Sequence, residues 1–245
     1  MIKIRAFRAI DDYDACQKFI LGHQKVLENI GVKKVTSSKN EWAENPAAFV
    51  IIVESLDGSK IYGGSRVHVS GGTQLLPIEE ATGFMDKSIY DIVNEYAYNG
   101  TGEICGLWNS REVAGMGIGS VFLTRACVAI AEQIKLDSLF ALCAPYTVKM
   151  AESVGYHLLD KVGNKGTFYY PKLDLVATAM ILEDVATIAK AEPEERAHIE
   201  TMRQNLNGKR IEILRGKELE IDFQLEIPNL DSWFKSGILK KPLYL

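Results

Sequence analysis

Residues 103–123 read EICGLWNSREVAGMGIGSVFL, and the way this stretch folds decides the rest of the chain. It opens as an apolar, strand-like run, EICGLWNS. Through GMGIG it passes into GIGSVFLTRACVAIAEQIKL, whose apolar period predicts a helix of about five turns. Gly115, Gly117 and Gly119 alternate at the junction. Glycines placed so serve one of two ends. They permit a tight strand-to-helix turn, or they let a bulky anion approach backbone N–H groups at a helix N-terminus, where the dipole adds positive charge. A Walker A loop needs lysine after its last glycine, and none follows here. A dinucleotide fingerprint needs glycine where Ser120 stands and an acidic residue closing the next strand, SLFALCA, which ends in alanine. The phosphate reading that remains is a cradle of backbone amides over Gly115, Met116, Gly117, Ile118, Gly119 and Ser120.

Upstream, IKIRAF alternates as a strand. DDYDACQKFILGHQKVLENIG reads as a helix capped by Asp11 or Asp12 and stopped at Gly31. AAFVIIVES and IYGGSRVHVSG are strands joined by an Asp-Gly turn. TQLLPIEEATGF reads as irregular around Pro77 and Gly83, and DKSIYDIVNEYAYNG as a helix capped by Asp86. Downstream, PYTVKMAESVGY is a short helix with Pro145 in its first turn, and YHLLDKV and GTFYYP are strands around GNKG. Beyond Pro171 come a strand (LDLVATAMILED), a helical segment interrupted near Pro193, a second hairpin (KRIEILRGKELEIDFQLEI) and a tail with no clear period. Hairpins mixed with strand–helix–strand crossovers predict an α+β (mixed α/β) fold with a mixed sheet flanked by helices. Residues 1–172 are expected to form one domain, and 173–245 a C-terminal strand–helix–hairpin extension.

Composition narrows the function. Of 245 residues, 47% are hydrophobic and 24% charged, with a net charge of −4, so nothing suggests a nucleic-acid partner. No apolar run suits a membrane span or a signal peptide, and the expectation is a soluble, cytoplasmic protein. Cys16, Cys105, Cys127 and Cys143 are scattered and form no C-x-x-C, and the histidines show no ligand spacing. No metal is expected, and the cysteines read as buried thiols.

The 103–123 stretch resembles the acyl-CoA-binding core of the GCN5-related N-acetyltransferases (GNAT). There a strand and short loop lead to Q/R-x-x-G-x-G/A at a helix start. Gly117 and Gly119 match the two glycines, and Ala114 replaces the first polar residue. SLFALCAPYTVKMAESVGYHLL resembles the next strand and the short helix ending in G-F or G-Y, and the resemblance covers about residues 2–171. It implies a GNAT-like sheet and an acetyl-CoA or other acyl-CoA co-substrate. It also implies strands at 103–109 and 138–144 that splay apart, with pantetheine pairing near Leu107, Trp108 and Asn109. The implied reaction is attack by an amine, on a small molecule or a peptide, at the thioester. Glu103 is the expected base, with Glu95 and Tyr96 as weaker candidates. The family's usual acid position holds Ala151, which leaves Tyr146 as the candidate acid. Cys105 as an acylated nucleophile lacks a recognisable base. YGGSRVHVSGGTQLLPIEEATGF is similar to a region of the acyl-homoserine-lactone and N-acyl amino acid synthases, through Arg66 and Pro77. That likeness implies acyl carrier protein as an alternative, long-chain donor; Arg66, on a hairpin strand, is a candidate to bind an acceptor carboxylate bidentately, the alternative being an exposed strand arginine. A non-catalytic acyl-CoA-binding module and a homodimer stay open.

Overall fold

The computed structural model describes residues 1–29, 31, 39–113, 118–172, 174–214 and 216–239. In chain order the N-terminal elements are β1 (Ile2–Arg8), α1 (Tyr13–Asn29), β2 (Ala48–Glu54), β3 (Ile61–Val69), α2 (Pro77–Thr82), α3 (Ser88–Ala97) and β4 (Thr101–Asn109). Then follow α4 (Leu123–Gln133), β5 (Ser138–Cys143), α5 (Val148–Ser153), β6 (His157–Leu158), β7 (Thr167–Tyr169) and β8 (Val176–Leu182). The chain continues through α6 (Pro193–Gln204), β9 (Asn207–Leu214), β10 (Lys217–Gln224) and α7 (Leu230–Lys235).

The run AFVIIVE of β2 is buried at every position. A β-branched apolar run without alternation requires cover on both faces, and β2 has it. The strands form one mixed sheet in the order β6-β8-β5-β4-β3-β2-β1-β10-β9, with β7 also on β8. β1 to β4 are antiparallel neighbours, whereas β4 runs parallel to β5 and β10 parallel to β1. Strands from beyond residue 172 stand on both sides. β8 pairs β5, and the β9–β10 hairpin extends the sheet past β1.

One face carries α4 at its centre. Phe122, Leu123, Cys127 and Ile130 join Phe49, Ile51, Val67, Phe223 and Trp233 in the main apolar cluster. Arg125 of α4 makes a two-pronged ion pair with Glu195 of α6, both contacts at 2.6 Å, which ties the later segment to the central helix. The opposite face has two smaller clusters, one under α1 around Phe19, Trp42 and Trp108, the other under α2 and α3 around Ile78, Ile89 and Phe140.

Several local expectations meet a tertiary correction. TQLLPIEEATGF contains a helix, α2, with Pro77 in its first turn and Glu79 Oε2 accepting the Leu76 N–H at 2.8 Å. The helix expected from residue 117 opens with a single π turn, Ile118–Phe122, and becomes α-helical only at Leu123. α6 begins at Pro193, where an interruption was expected, because proline suits a helix's first turn. The tail contains α7, whose Trp233 is buried. Asp12 caps α1, its Oδ1 accepting the Ala15 N–H at 3.0 Å. All four cysteines are buried and unpaired.

Candidate functional site

Parallel pairing of β4 with β5 runs over three positions, Thr101–Ser138, Gly102–Leu139 and Glu103–Phe140. Beyond Glu103 the two strands continue without a ladder between them, so among the described residues no strand pairs with β4 from Ile104 onward on that side. Its other edge stays on β3, with Cys105 opposite Arg66 and Trp108 opposite Gly64. Between those pairs Gly106 and Leu107 face the single residue Ser65, which is a β-bulge. Gly106 has φ +63°, and a Cβ there would meet the Arg66 guanidinium at 3.2 Å. Gly106→Ala is therefore expected to cost about 1–2 kcal/mol, read by urea unfolding, because it places an L side chain in the left-handed region.

The same face of the sheet holds a polar seam between the two smaller clusters. Arg66 and His68 project from β3, opposite Cys105 and Glu103 of β4. All four are buried. Arg66 is 1% exposed; its guanidinium lies over Trp42 at 4.2 Å and near Phe19 at 5.9 Å. An exposed strand arginine is thus ruled out. Glu103 Oε2 accepts the Ile78 N–H of α2 at 2.6 Å. Burial raises the Glu103 carboxyl to about 8, against the lowering effects of the Ile78 hydrogen bond and of Arg66. Cys105 is pushed up to about 12 by burial, so its thiol stays protonated at neutral pH.

The protonation of His68 can be read from its neighbour. Asn45 Oδ1 accepts the N–H groups of Ala47 (2.9 Å) and Thr73 (3.4 Å), which fixes the amide's orientation. Asn45 Nδ2 therefore donates to His68 Nε2 at 2.7 Å, placing the ring proton on Nδ1. Burial, with Arg66 nearby, lowers His68 to about 3, so the ring is neutral. Nδ1 is buried without a hydrogen-bond partner among the described residues. Arg66 and His68 line a cavity of about 170 Å³ with Trp42, Gln74, Lys39 and Glu80.

The remaining expected residues separate. Trp108 is 4% exposed and packs edge-on against Phe19 at 5.7 Å, so its ring is core under α1. Leu107 and Asn109 are partly exposed on β4. Asn109 Oδ1 and Ser110 Oγ are buried without a partner among the described residues. Tyr146 is 83% exposed and lies in the turn ahead of α5, not on the helix. Tyr96 donates its hydroxyl to Glu183 at 2.7 Å, and Glu95 is exposed on α3. Ile118, Gly119 and Ser120 form the start of the π turn, whereas Gly115, Met116 and Gly117, with Ala114, lie outside the described residues. No group of histidine, cysteine and carboxylate side chains suited to a metal occurs among the described residues, and no described helix is long and apolar enough to cross a membrane.

Asn45, Trp42 and His68 were missed from sequence. A signal existed only for His68, because SRVHVS places it two residues from Arg66 and so on the same face.

The mixed sheet and the parallel β4–β5 pair that ends after three positions are the arrangement that the resemblance of the 103–123 stretch implied, and the bulge at Gly106 is an added feature of β4. The fold is GNAT-like. Solved structures agree. FeeM, an N-acyl amino acid synthase from uncultured soil microbes, superposes with a TM-score of 0.56 at 16% identity, over 78% of this chain and 95% of FeeM. BjaI, a CoA-dependent acyl-homoserine lactone synthase solved with SAM and isopentyl-CoA, gives 0.51 at 12% identity, over 83% of this chain and 90% of BjaI. No family model matches the sequence. No curated protein matches it either. Within this GNAT-like frame the polar seam sits beside the point where β4 and β5 part.

Proposed function

We propose that the chain is an N-acyltransferase that moves an acyl group from a CoA thioester to an amine by direct attack. The observation that carries this reading is a buried carboxyl, Glu103, raised to about 8, at the last paired position before β4 and β5 diverge. A pantetheine arm lying along the free edge of β4 from Ile104 to Asn109 brings its thioester to Glu103 and Cys105. Its amides offer partners to an unpaired strand edge and to Asn109 Oδ1. The pyrophosphate falls to the backbone of residues 115–120, by the resemblance of GMGIGS to the family's cradle.

In the reaction the amine nitrogen bonds to the thioester carbonyl carbon, the C–S bond breaks, and CoA leaves as thiolate. An ammonium group must first lose a proton, and a carboxylate with a pKa near that of its target accepts it efficiently. The thiolate takes a proton from solvent or from Tyr146, which stands exposed at the head of α5. The acceptor enters the cavity of Arg66 and His68, where a guanidinium and a neutral N–H suit an acceptor carboxylate.

The resemblance of YGGSRVHVSGGTQLLPIEEATGF to the acyl-homoserine-lactone and N-acyl amino acid synthases supports a second version, transfer of a long acyl chain with acyl carrier protein as donor. The two share fold and base and differ in the donor.

The test is thermal. CoA is expected to raise the melting temperature by binding the native state, and Gly117→Glu is expected to abolish that shift by placing bulk and negative charge at the pyrophosphate. A shift retained in the variant overturns the cradle. Thiol release from acetyl-CoA, from longer acyl-CoA and from a long-chain acyl carrier protein, each with a panel of amines and amino acids, then separates the two donors. CoA binding without release from any thioester would make the chain a binding module instead.

A further inference from the structure

β9 is the last strand of the sheet, and its outer edge has no ladder partner among the described residues. It pairs with β10 over eight uninterrupted positions, with neither bulge nor proline to blunt the edge. Ile211 and Ile213 are 68% and 66% exposed on the face of the sheet that α1 covers elsewhere. A long, regular edge that exposes two isoleucines invites another strand, and the sequence of β9 says which.

We propose that two copies of this chain pair β9 against β9, antiparallel, about a twofold axis through Ile211, joining their sheets into one. Self-complementarity carries the choice of partner. In NGKRIEIL an antiparallel pairing centred on Ile211 sets Arg210 of each copy opposite Glu212 of the other. It also sets Ile213 opposite Lys209, whose stem covers it. Centring one residue earlier would oppose Arg210 to Arg210, and one residue later Glu212 to Glu212. Unlike charges opposite each other stabilise an antiparallel pair and like charges destabilise it, so charge selects the register centred on Ile211.

The neighbouring strand fits the same arrangement. Glu218, Glu220 and Asp222 of β10 lie opposite Ile213, Ile211 and Lys209 on the exposed face. In the dimer the two β9 strands stand between the two acidic rows and keep them apart. Among the described residues each chain has one such edge, the other end of the sheet being the two-residue β6, so the twofold closes and assembly stops at two. One strand pair buries less than the 1,200–2,000 Å² or so of stable interfaces, so the dimer is concentration-dependent, with half-association in the micromolar range.

Sedimentation of the full chain from about 1 to 100 µM tests this directly. Mass is expected to rise from 27.2 kDa toward twice that value. Ile211→Lys, which opposes two ammonium groups on the axis, should stay monomeric with an unchanged melting temperature, since the site is exposed. Ile211→Cys should give a disulfide-linked dimer on mild oxidation, because the four natural cysteines are buried. Ile213→Cys, with Lys209 opposite, should not. A chain that stays monomeric to the highest concentration, an association unaffected by Ile211→Lys, or equal cross-linking at 211 and 213 would each overturn the proposal.

Discussion

Glu103→Gln is expected to lower turnover by about 10²–10⁴-fold at pH 8 while leaving the CoA-induced thermal shift in place. The substitution keeps the shape and an oxygen for the Ile78 N–H, and removes only the capacity to take a proton. The parent rate should rise with pH and level off above the carboxyl's value of about 8, since only the ionised form is a base. Stability runs the other way. An unfolded carboxyl titrates near 4.5, whereas the native one holds its proton to about 8. Between those values the native state binds more protons than the unfolded chain, so stability falls as pH rises through the window. Glu103→Gln should therefore melt higher than the parent at pH 9, with the difference vanishing near pH 4. Equal turnover of variant and parent would remove Glu103 as the base, and equal melting temperatures at pH 9 would mean that its carboxyl is not raised.

Trp233→Ala carries the largest expected effect on stability, about 3–5 kcal/mol. Trp233 is 1% exposed, meets Phe49 of β2 edge-on at 5.0 Å and has the Arg8 guanidinium over its ring at 5.6 Å. Its Nε1 donates to the Ile134 carbonyl at 3.4 Å. The residue belongs to the cluster that joins α4 to the central strands, so its loss should shift a single cooperative transition in urea rather than detach a terminal segment. A loss under about 1 kcal/mol, or a separate early transition, would mean that α7 only rests on the sheet.

These two residues were unequally visible in the sequence. Glu103 could be named because it opens the strand-like run EICGLWNS, although β4 starts two residues earlier, at Thr101, and its burial and raised carboxyl could not be seen. Those come from α2, which closes over it and donates Ile78 N–H, and α2 lay in a segment that read as irregular. Six residues are too few for a helical period to stand out, and a proline in the first turn looks from sequence like a break. Trp233 lay in a tail without periodicity. One buried tryptophan on a six-residue helix leaves no repeating pattern, yet it fills a site between β2 and α4.

Arg66 shows the same division. Its place on a strand, two residues from His68, follows from the alternation of SRVHVS. Its burial does not, because Trp42 comes from a short 3₁₀ turn, Glu41–Glu44, and Phe19 from α1. The placement of Tyr146 differs in the other direction. A proline before it suggested a helix start, whereas α5 begins only at Val148 and leaves the phenol in solvent.

By itself the sequence determined the strands and long helices, the mixed sheet and the place where β4 meets its following helix, since alternation, helical period and turn residues are local and short in range. Tertiary structure alone decided where β4 and β5 part, which charges are buried together and that the last seventy or so residues pair with both ends of the sheet. Those outcomes depend on contacts between residues far apart in the chain, and a side chain's desolvation is set by whatever packs over it rather than by its neighbours in sequence.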